Sequence, residues 1–227
     1  MRSWKIPASF AVSTLLLTTL PAFAQAPANL DKFIGAYKAT SILIFYISRD
    51  GGELHARVSG HKNEMVLLPI SVNRFTETGS GAQFIFSEEG PDMVLTASRL
   101  PMVYRAKRIS AEIANAQETA VAARVRANMP SPGTEASARR YIASLEEGAP
   151  NYDEMEPRVA ADVSGRLPST LAEIQKLGPF KSLTFEAVSS DGMDVYDAEF
   201  EHGHVDLGLA PLDPNGKVEF RDFHVRN

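Results

Sequence analysis

The residues of this chain that could carry chemistry fall into small groups, and the first is a possible nucleophile. Ser59 and Lys62 match the Ser-x-x-Lys pattern, in which a serine at a helix start faces a lysine base one turn later. Here the four residues fall between two predicted strands, and the chain has no Ser-Asp-Asn, Lys-Thr-Gly or Lys-Ser-Gly motif. We therefore interpret the match as a coincidence.

Histidines near the C-terminus offer a possible metal site. His202, His204 and Asp206 alternate in sequence, which on a strand would place three ligands on one face, and His224 could add another. Residues 201–203 favour a hairpin turn, however, where that alternation fails. We expect turn and surface histidines and no bound metal.

Two acidic clusters have ordinary structural explanations. Asp153, Glu154 and Glu156 would offer paired carboxylates for acid–base catalysis, but their position at a predicted helix start favours an interaction with the helix dipole. The second cluster lacks the spacing of a calcium-binding loop and predicts a solvated hairpin face. Its members are Asp191, Asp194, Asp197, Glu199 and Glu201.

Other catalytic signatures are absent from the sequence. The chain contains no Gly-x-Ser-x-Gly elbow and no glycine-rich phosphate loop. Because it has no cysteine, it has no thiol nucleophile, disulfide or cysteine-ligated metal. We therefore predict a protein that is not an enzyme, with no catalytic residue and no cofactor. The alternative is an enzyme with a cryptic site in a C-terminal cavity.

The N-terminal segment has the composition of an export signal. Two basic residues and an apolar run over residues 10–20 precede the small residues of Ala22-Phe23-Ala24, which signal peptidase reads. The run is too short to span a bilayer core of about 30 Å, although a membrane anchor is the alternative. We predict a signal peptide at residues 1–24 and a periplasmic or secreted protein that does not stay at the membrane.

Charge is distributed unevenly along the chain. The formal net charge is −5, and residues 146–227 carry more than twice as many acidic as basic side chains. An acidic domain repels nucleic acid and anionic lipid. We therefore expect neither as a partner.

Residues 25–106 predict a β-rich domain. The β-branched and aromatic run 41–48 is followed by Asp50-Gly51, a strong hairpin signal. Further short strands follow at the spacing of roughly 8–12 residues that is typical of such folds. We expect an antiparallel meander or a small barrel.

A change of period predicts a different second half. Apolar residues at helical spacing, with Ser110 as a candidate N-cap, predict a linking helix and a proline-rich linker over residues 107–132. Residues 133–227 then predict helices between Glu135 and Leu177, followed by four strands. Helices packed on a four-stranded antiparallel sheet make the predicted fold class α+β.

Aromatic residues on the C-terminal strands mark the candidate binding pocket. A curved sheet that closes over helices can leave a concave mouth. Phe185, Tyr196, Phe200 and Phe220 would either fill the interior or line this pocket if they point inward together. The hypothesis of a small-molecule ligand in this domain depends on which of the two occurs.

Most of the chain resembles accessory domains of exported hydrolases. Residues 31–108 resemble the β-rich domain of unknown function that follows the catalytic domain of serine β-lactamase-type hydrolases, through the runs 33–37, 51–56 and 105–109. Residues 133–226 resemble a domain found further downstream in some of them, and their order is similar to that of SnoaL-like, cone-shaped α+β folds. The runs that carry this second resemblance are 133–135, 152–155, 177–178, 181–185, 192–196 and 200–203.

The hydrolase domain has no counterpart in this sequence, so the resemblance implies an accessory module and carries over no activity. We predict a non-catalytic exported protein that works by binding. Its partner would be a separately encoded hydrolase or another protein, or its ligand a peptide, glycan or apolar small molecule.

Overall fold

A computed structural model describes residues 29–99, 102–219 and 221–226. The predicted signal peptide at residues 1–24 and the candidate pocket residue Phe220 lie outside the described residues. The α+β fold class is confirmed, with an eight-stranded antiparallel barrel, then helices and a four-stranded antiparallel sheet. Among the described helices, none is both long enough and apolar enough to cross a membrane.

The barrel is built from strands that pair with their neighbours in sequence and is closed by the pairing of β1 with β8. The hairpin predicted at Asp50-Gly51 joins β2 to β3. Gly51 has a φ of 55°, a left-handed conformation that glycine adopts at little cost. The strands are β1 (Gly35–Lys38), β2 (Ile44–Asp50), β3 (Glu53–Val58), β4 (Glu64–Ser71), β5 (Arg74–Glu77), β6 (Gln83–Glu89), β7 (Asp92–Arg99) and β8 (Met102–Ile109).

Side chains fill the two ends of the barrel differently. A 3₁₀ turn (Asp31–Phe33) plugs one end, where Phe33 stacks on Phe86 with 4.5 Å between the ring centroids and Phe75 packs edge-on against both. Toward the other end the buried inward positions include the small Ala97. The interior of an eight-stranded barrel is just wide enough for side chains to fill or for one small ligand, so residue size decides which end is solid.

The linking helix α1 (Ala111–Ala127) begins where the sequence predicts. The hydroxyl oxygen of Ser110 accepts a hydrogen bond from the N–H of Ile113 at 3.3 Å, which satisfies one of the free donors of the first turn. β8 continues to Ile109, into the segment 107–132 assigned to the helix and linker, because its last residues pair with β1.

The C-terminal half packs two helices, α2 (Thr134–Glu146) and α3 (Pro157–Leu177), on one face of a sheet with the strand order β12-β11-β10-β9. α3 continues as one helix through Pro168, although a proline inside a helix removes one backbone hydrogen bond. The strands are β9 (Phe180–Val188), β10 (Asp194–Phe200), β11 (Gly203–Leu209) and β12 (Arg221–Arg226).

The hairpin between β9 and β10 brings the C-terminal half against the open end of the barrel. A Cβ atom on Gly60, in the turn after β3, would lie only 2.9 Å from the Cα of Asp191. The N–H of Ser41 donates to a carboxylate oxygen of Glu219 at 2.7 Å. These contacts place the second half at the edge of the barrel opening.

Candidate functional site

The open end of the barrel holds a cavity of about 360 Å³. It forms because Ala97 stands at an inward position of β7 and Ala82 just before β6, next to larger side chains on the neighbouring strands. Its wall is predominantly apolar. The apolar side chains that line it are Ile42, Leu43, Phe45, Val58, Met65, Ala82, Phe84, Ala97, Met102 and Tyr104.

The polar residues of the cavity include Ser80, in the turn between β5 and β6, and Arg99, the last residue of β7. The Ser80 turn is fixed by Glu77, whose carboxylate accepts hydrogen bonds from the Ser80 hydroxyl and from the N–H groups of Ser80 and Gly79. These hydrogen bonds lower the pKa of Glu77, and the bond from the Ser80 side chain has the largest effect. An apolar wall with a few placed polar groups is typical of small-molecule sites.

Tyr104 connects the cavity to the C-terminal half. The guanidinium carbon of Arg158, on α3, lies 4.6 Å from the centre of the Tyr104 ring, and the Tyr104 hydroxyl donates to the sulfur of Met102 at 3.3 Å. Burial raises the pKa of Tyr104, which keeps the phenol protonated at neutral pH. Because Asp191 of the β9–β10 hairpin also borders the cavity, both halves of the molecule shape the opening.

A second, more polar groove of about 320 Å³ lies beside this cavity, between the barrel and α1. Arg57 crosses it, with its guanidinium 3.1 Å from the carboxylate of Glu118 and 4.1 Å from the centre of the Tyr46 ring. The guanidinium is thus already engaged with groups of the protein. This groove therefore offers a weaker case for a ligand than the apolar cavity.

Ser59 lies in the turn after β3, and its hydroxyl is held by the backbone. It donates to the carbonyl of Ile42 at 2.7 Å and accepts from the N–H of Ile44 at 2.9 Å. Lys62 follows in the same loop and not one helical turn away. A hydroxyl that ties two backbone groups together is not arranged as a nucleophile beside a lysine base, so the geometry supports our interpretation of the Ser-x-x-Lys match.

The C-terminal histidines occupy a turn and the exposed side of the sheet. His202 lies in the turn between β10 and β11, whereas His204 lies on β11 with its Nδ1 3.0 Å from a carboxylate oxygen of Asp197. His224 lies opposite Asp206 on the neighbouring strand. Within the part of the chain that the structure describes, no three histidine or acidic residues are grouped so that they could hold a metal ion.

One acidic residue contradicts the prediction of a solvated hairpin face. Asp194 is fully buried and accepts hydrogen bonds from the Arg124 guanidinium at 2.6 Å, the Ser131 N–H at 2.7 Å and the Thr134 hydroxyl at 2.8 Å. Asp194 lies on the same face of β10 as Tyr196. Burial alternates along this strand, and the buried face is the one that carries both residues. The prediction was wrong here because only long-range partners distinguish Asp194 from the other acidic residues of this segment.

Three of the four aromatic residues predicted to form a pocket are packed together in the helix–sheet core. Tyr196 and Phe200 are buried, and Phe185 is half-buried with its ring centroid 5.7 Å from that of Tyr196. The cavity in the barrel opening involves none of these rings. Of the two alternatives, the packing favours rings that fill the interior, while Phe220 lies outside the described residues.

Sequence reasoning missed the barrel cavity, although a signal for it exists. On β6 and at its start, alternate residues place Ala82, Phe84 and Phe86 on the inner face, and β7 places Leu95 and Ala97 there. On both strands the side chains become smaller toward the same end of the barrel, because the strands are antiparallel. Their register is needed to recognise this pattern.

No protein-family profile matches the chain, and neither a curated protein nor a solved structure is detectably similar to it. The resemblance to accessory domains of β-lactamase-type hydrolases therefore stays a prediction.

Proposed function

We propose that this chain is a non-catalytic, exported binding protein that holds an apolar small molecule in the open end of its barrel. The observation that carries the proposal is the cavity of about 360 Å³ with its predominantly apolar wall. Ligand pockets typically have volumes of roughly 300–1,000 Å³ and few polar groups. Export to the periplasm or beyond the cell rests on the signal peptide predicted at residues 1–24.

The position of the cavity on paired strands favours tight binding of a ligand that fits. The lining residues Phe45, Val58 and Phe84 belong to strands bonded on both sides, so the wall exists before the ligand arrives. A preformed site avoids much of the entropy cost of ordering side chains and loops. Burial of apolar ligand surface then contributes about 25 cal/mol per Å².

The proposal can be tested with N-phenyl-1-naphthylamine, an uncharged apolar dye whose fluorescence increases in apolar surroundings. The unsubstituted protein should bind one dye molecule in a saturable manner. Ala97→Trp places an indole in the cavity and should weaken binding at least about tenfold, a loss of roughly 1.4 kcal/mol. The matched control is Ala123→Trp, because Ala123 is exposed on α1, and it should bind the dye as the unsubstituted protein does.

Two results would contradict this function. One is the absence of saturable binding by the folded protein. The other is equal affinity in the Ala97→Trp variant, since the dye would then bind somewhere else. Circular dichroism of each variant should accompany the titration, because an indole in a buried position of β7 can also disturb packing.

A second role, as the partner of another protein, is favoured by the outer surface of β4. This strand is apolar on both faces: Leu67 is buried inside the barrel, while Val66, Leu68 and Ile70 are between 36% and 41% exposed on the outside. A contiguous exposed apolar patch often marks a protein interface. The proposed partner is a protein that presents an apolar surface of its own, such as a separately encoded hydrolase, and not a nucleic acid.

The partner role predicts that Leu68→Lys abolishes complex formation while leaving the barrel folded and dye binding unchanged. The complex would be isolated from cell extract, its second protein identified by mass spectrometry, and its dissociation constant measured with the purified pair. The matched control is Val103→Lys, because Val103 is similarly exposed but lies on β8 and does not line the cavity. A complex that withstands Leu68→Lys and Ile70→Lys would refute an interface on β4.

A further inference from the structure

We propose that the C-terminal half contains a separate site for one small anion, a halide or a small carboxylate, held by Arg221 and Tyr141. The site lies between the start of β12 and α2. It does not depend on the barrel cavity or on the function proposed for it.

The first observation is a buried cation whose donors are unused. The Arg221 guanidinium carbon lies 4.6 Å from the centre of the Tyr141 ring and 5.9 Å from that of Phe223. Its Nε and Nη1 atoms are buried and have no hydrogen-bond partner among the described residues. Contacts with the two rings hold the guanidinium in place but leave these N–H groups unsatisfied.

The second observation is independent of the arginine. Tyr141 is only 8% exposed, and its buried hydroxyl also lacks a hydrogen-bond partner within the part of the chain that the structure describes. Both Tyr141 and Arg221 line one small cavity of about 30 Å³. The cavity is thus bordered by side chains with unused hydrogen-bond donors on two different elements.

Desolvation of both groups is reflected in their protonation equilibria. Burial lowers the pKa of Arg221 and raises the pKa of Tyr141. The guanidinium nevertheless stays charged, because its ordinary pKa is far above neutrality, and the phenol stays protonated. At neutral pH the cavity therefore presents N–H and O–H donors and a positive charge.

Two of the nearby carboxylates are engaged with other arginines. Glu154, which borders the cavity, lies 2.9 Å from the Nε of Arg140. Asp162, which acts on Arg221 at longer range, lies 2.9 Å from the Nε of Arg166. A third carboxylate, that of Asp222, also acts on Arg221 but is exposed and accepts from the Phe223 N–H at 3.0 Å. Arg221 itself has no ion pair among the described residues, so no carboxylate in direct contact neutralises its charge.

A bound anion would reduce the free-energy cost of the buried charge and the unpaired donors. Unpaired buried donors cost free energy, and a buried charge costs more. An acceptor atom in the cavity would satisfy donors of Arg221 and Tyr141 together and neutralise the charge. The volume of about 30 Å³ is enough for a group about the size of a water molecule, which suits chloride or the carboxylate end of formate.

The experiment measures the thermal midpoint while chloride replaces gluconate at constant ionic strength. Gluconate is too large for the cavity, so the comparison removes the general effect of salt. At a tenfold excess over its dissociation constant, chloride should raise the midpoint by about 3–6 °C. A parallel series with formate distinguishes a halide site from a carboxylate site, and a rise with either anion supports the proposal.

Two variants and a control locate the effect. Arg221→Met removes the charge at similar length and should abolish the response to anions. Tyr141→Phe removes only the hydroxyl and should weaken anion binding about tenfold. Arg126→Met is the matched control, because Arg126 is exposed on α1, and its response should equal that of the unsubstituted protein.

Crystals of the unsubstituted protein grown with bromide provide a direct readout. An anomalous peak between Arg221 and Tyr141 would support the site. Water alone in the cavity, a flat response to chloride and formate, or an undiminished response in Arg221→Met would each overturn the proposal. Since the bromide measurement uses the unsubstituted chain, it decides the question even if Arg221→Met fails to fold.

Discussion

The barrel and the C-terminal helix–sheet layer both bury one face of an antiparallel sheet, yet they use the space inside differently. The open end of the barrel keeps a cavity of about 360 Å³ beside Ala97, whereas Tyr196 and Phe200 pack into the C-terminal core. The cavity at Arg221 in the C-terminal half measures only about 30 Å³. Either region could enclose a pocket, and the size of the inward-pointing side chains decides which of the two does.

The largest expected effect comes from the same substitution made in the two regions. Leu207 is fully buried in the helix–sheet core, whereas Leu43 is half-buried at the barrel cavity. Leu207→Ala should lower the free energy of unfolding by about 3–4 kcal/mol, because it leaves a new void in a packed interior. Leu43→Ala should cost about 1 kcal/mol, since its side chain already borders open space.

Urea denaturation of both leucine variants, with circular dichroism as the readout, checks this difference. Equal costs would mean that the barrel opening is as tightly packed in solution as the C-terminal core. The comparison between the two regions would then fail. The dye proposed for the cavity gives a second readout, because Leu43→Ala should change its affinity and Leu207→Ala should not.

A smaller effect is expected where the two regions touch, at the turn after β3. Gly60 has a φ of 77°, and a Cβ atom there would lie 2.9 Å from the Cα of Asp191. Gly60→Ala should therefore cost about 2 kcal/mol, part from the left-handed backbone and part from displacing the β9–β10 hairpin. Because Asp191 borders the cavity, dye affinity should change as well.

Gly51→Ala separates the two contributions of the Gly60 substitution. Gly51 also has a positive φ, of 55°, but a Cβ atom there would meet no other atom within 4 Å. Gly51→Ala should lower the free energy of unfolding by about 1 kcal/mol and leave the dye affinity unchanged. If Gly60→Ala also leaves the affinity unchanged, the C-terminal half does not shape the barrel opening.

Local sequence signals predicted the elements well because turns and caps depend on neighbouring residues. The Asp50-Gly51 hairpin and the Ser110 cap are of this kind. The fold class followed from the order of the elements. Asp194 and Ala97 were missed, because their roles depend on partners distant in sequence: Arg124 for the buried carboxylate, and strand register for the cavity.

A curved sheet over helices, as in the cone-shaped folds that the C-terminal half resembles, can hold a pocket. The size of the aromatic side chains argued for the opposite outcome, and their packing favours it. The unpaired donors of Arg221 could not be predicted at all, because the sequence does not show which arginine is buried without a carboxylate. Satisfaction of polar groups is a property of the assembled interior.

The smallest expected effect concerns the pH dependence of the barrel opening. Hydrogen bonds from the Ser80 hydroxyl and from the N–H groups of Ser80 and Gly79 lower the pKa of Glu77. A carboxylate whose pKa is lowered on folding stabilises the folded state above its ordinary pKa, near 4.5, and this contribution is lost as the pH falls through the lowered value. Glu77→Gln should therefore reduce stability at pH 7 and leave it nearly unchanged at pH 2.

Denaturation curves between pH 2 and pH 7 would measure the change in stability caused by Glu77→Gln. The control is Glu53→Gln, because Glu53 is also exposed but its carboxylate accepts no comparable hydrogen bonds among the described residues. The Ser80 turn belongs to the open end of the barrel, so acid should loosen this end before the aromatic plug at Phe33. Amide exchange at Ser80 and Phe33 across the same pH range gives the order directly. Faster exchange at Phe33 in acid would show that the plug, and not the opening, is the weaker end.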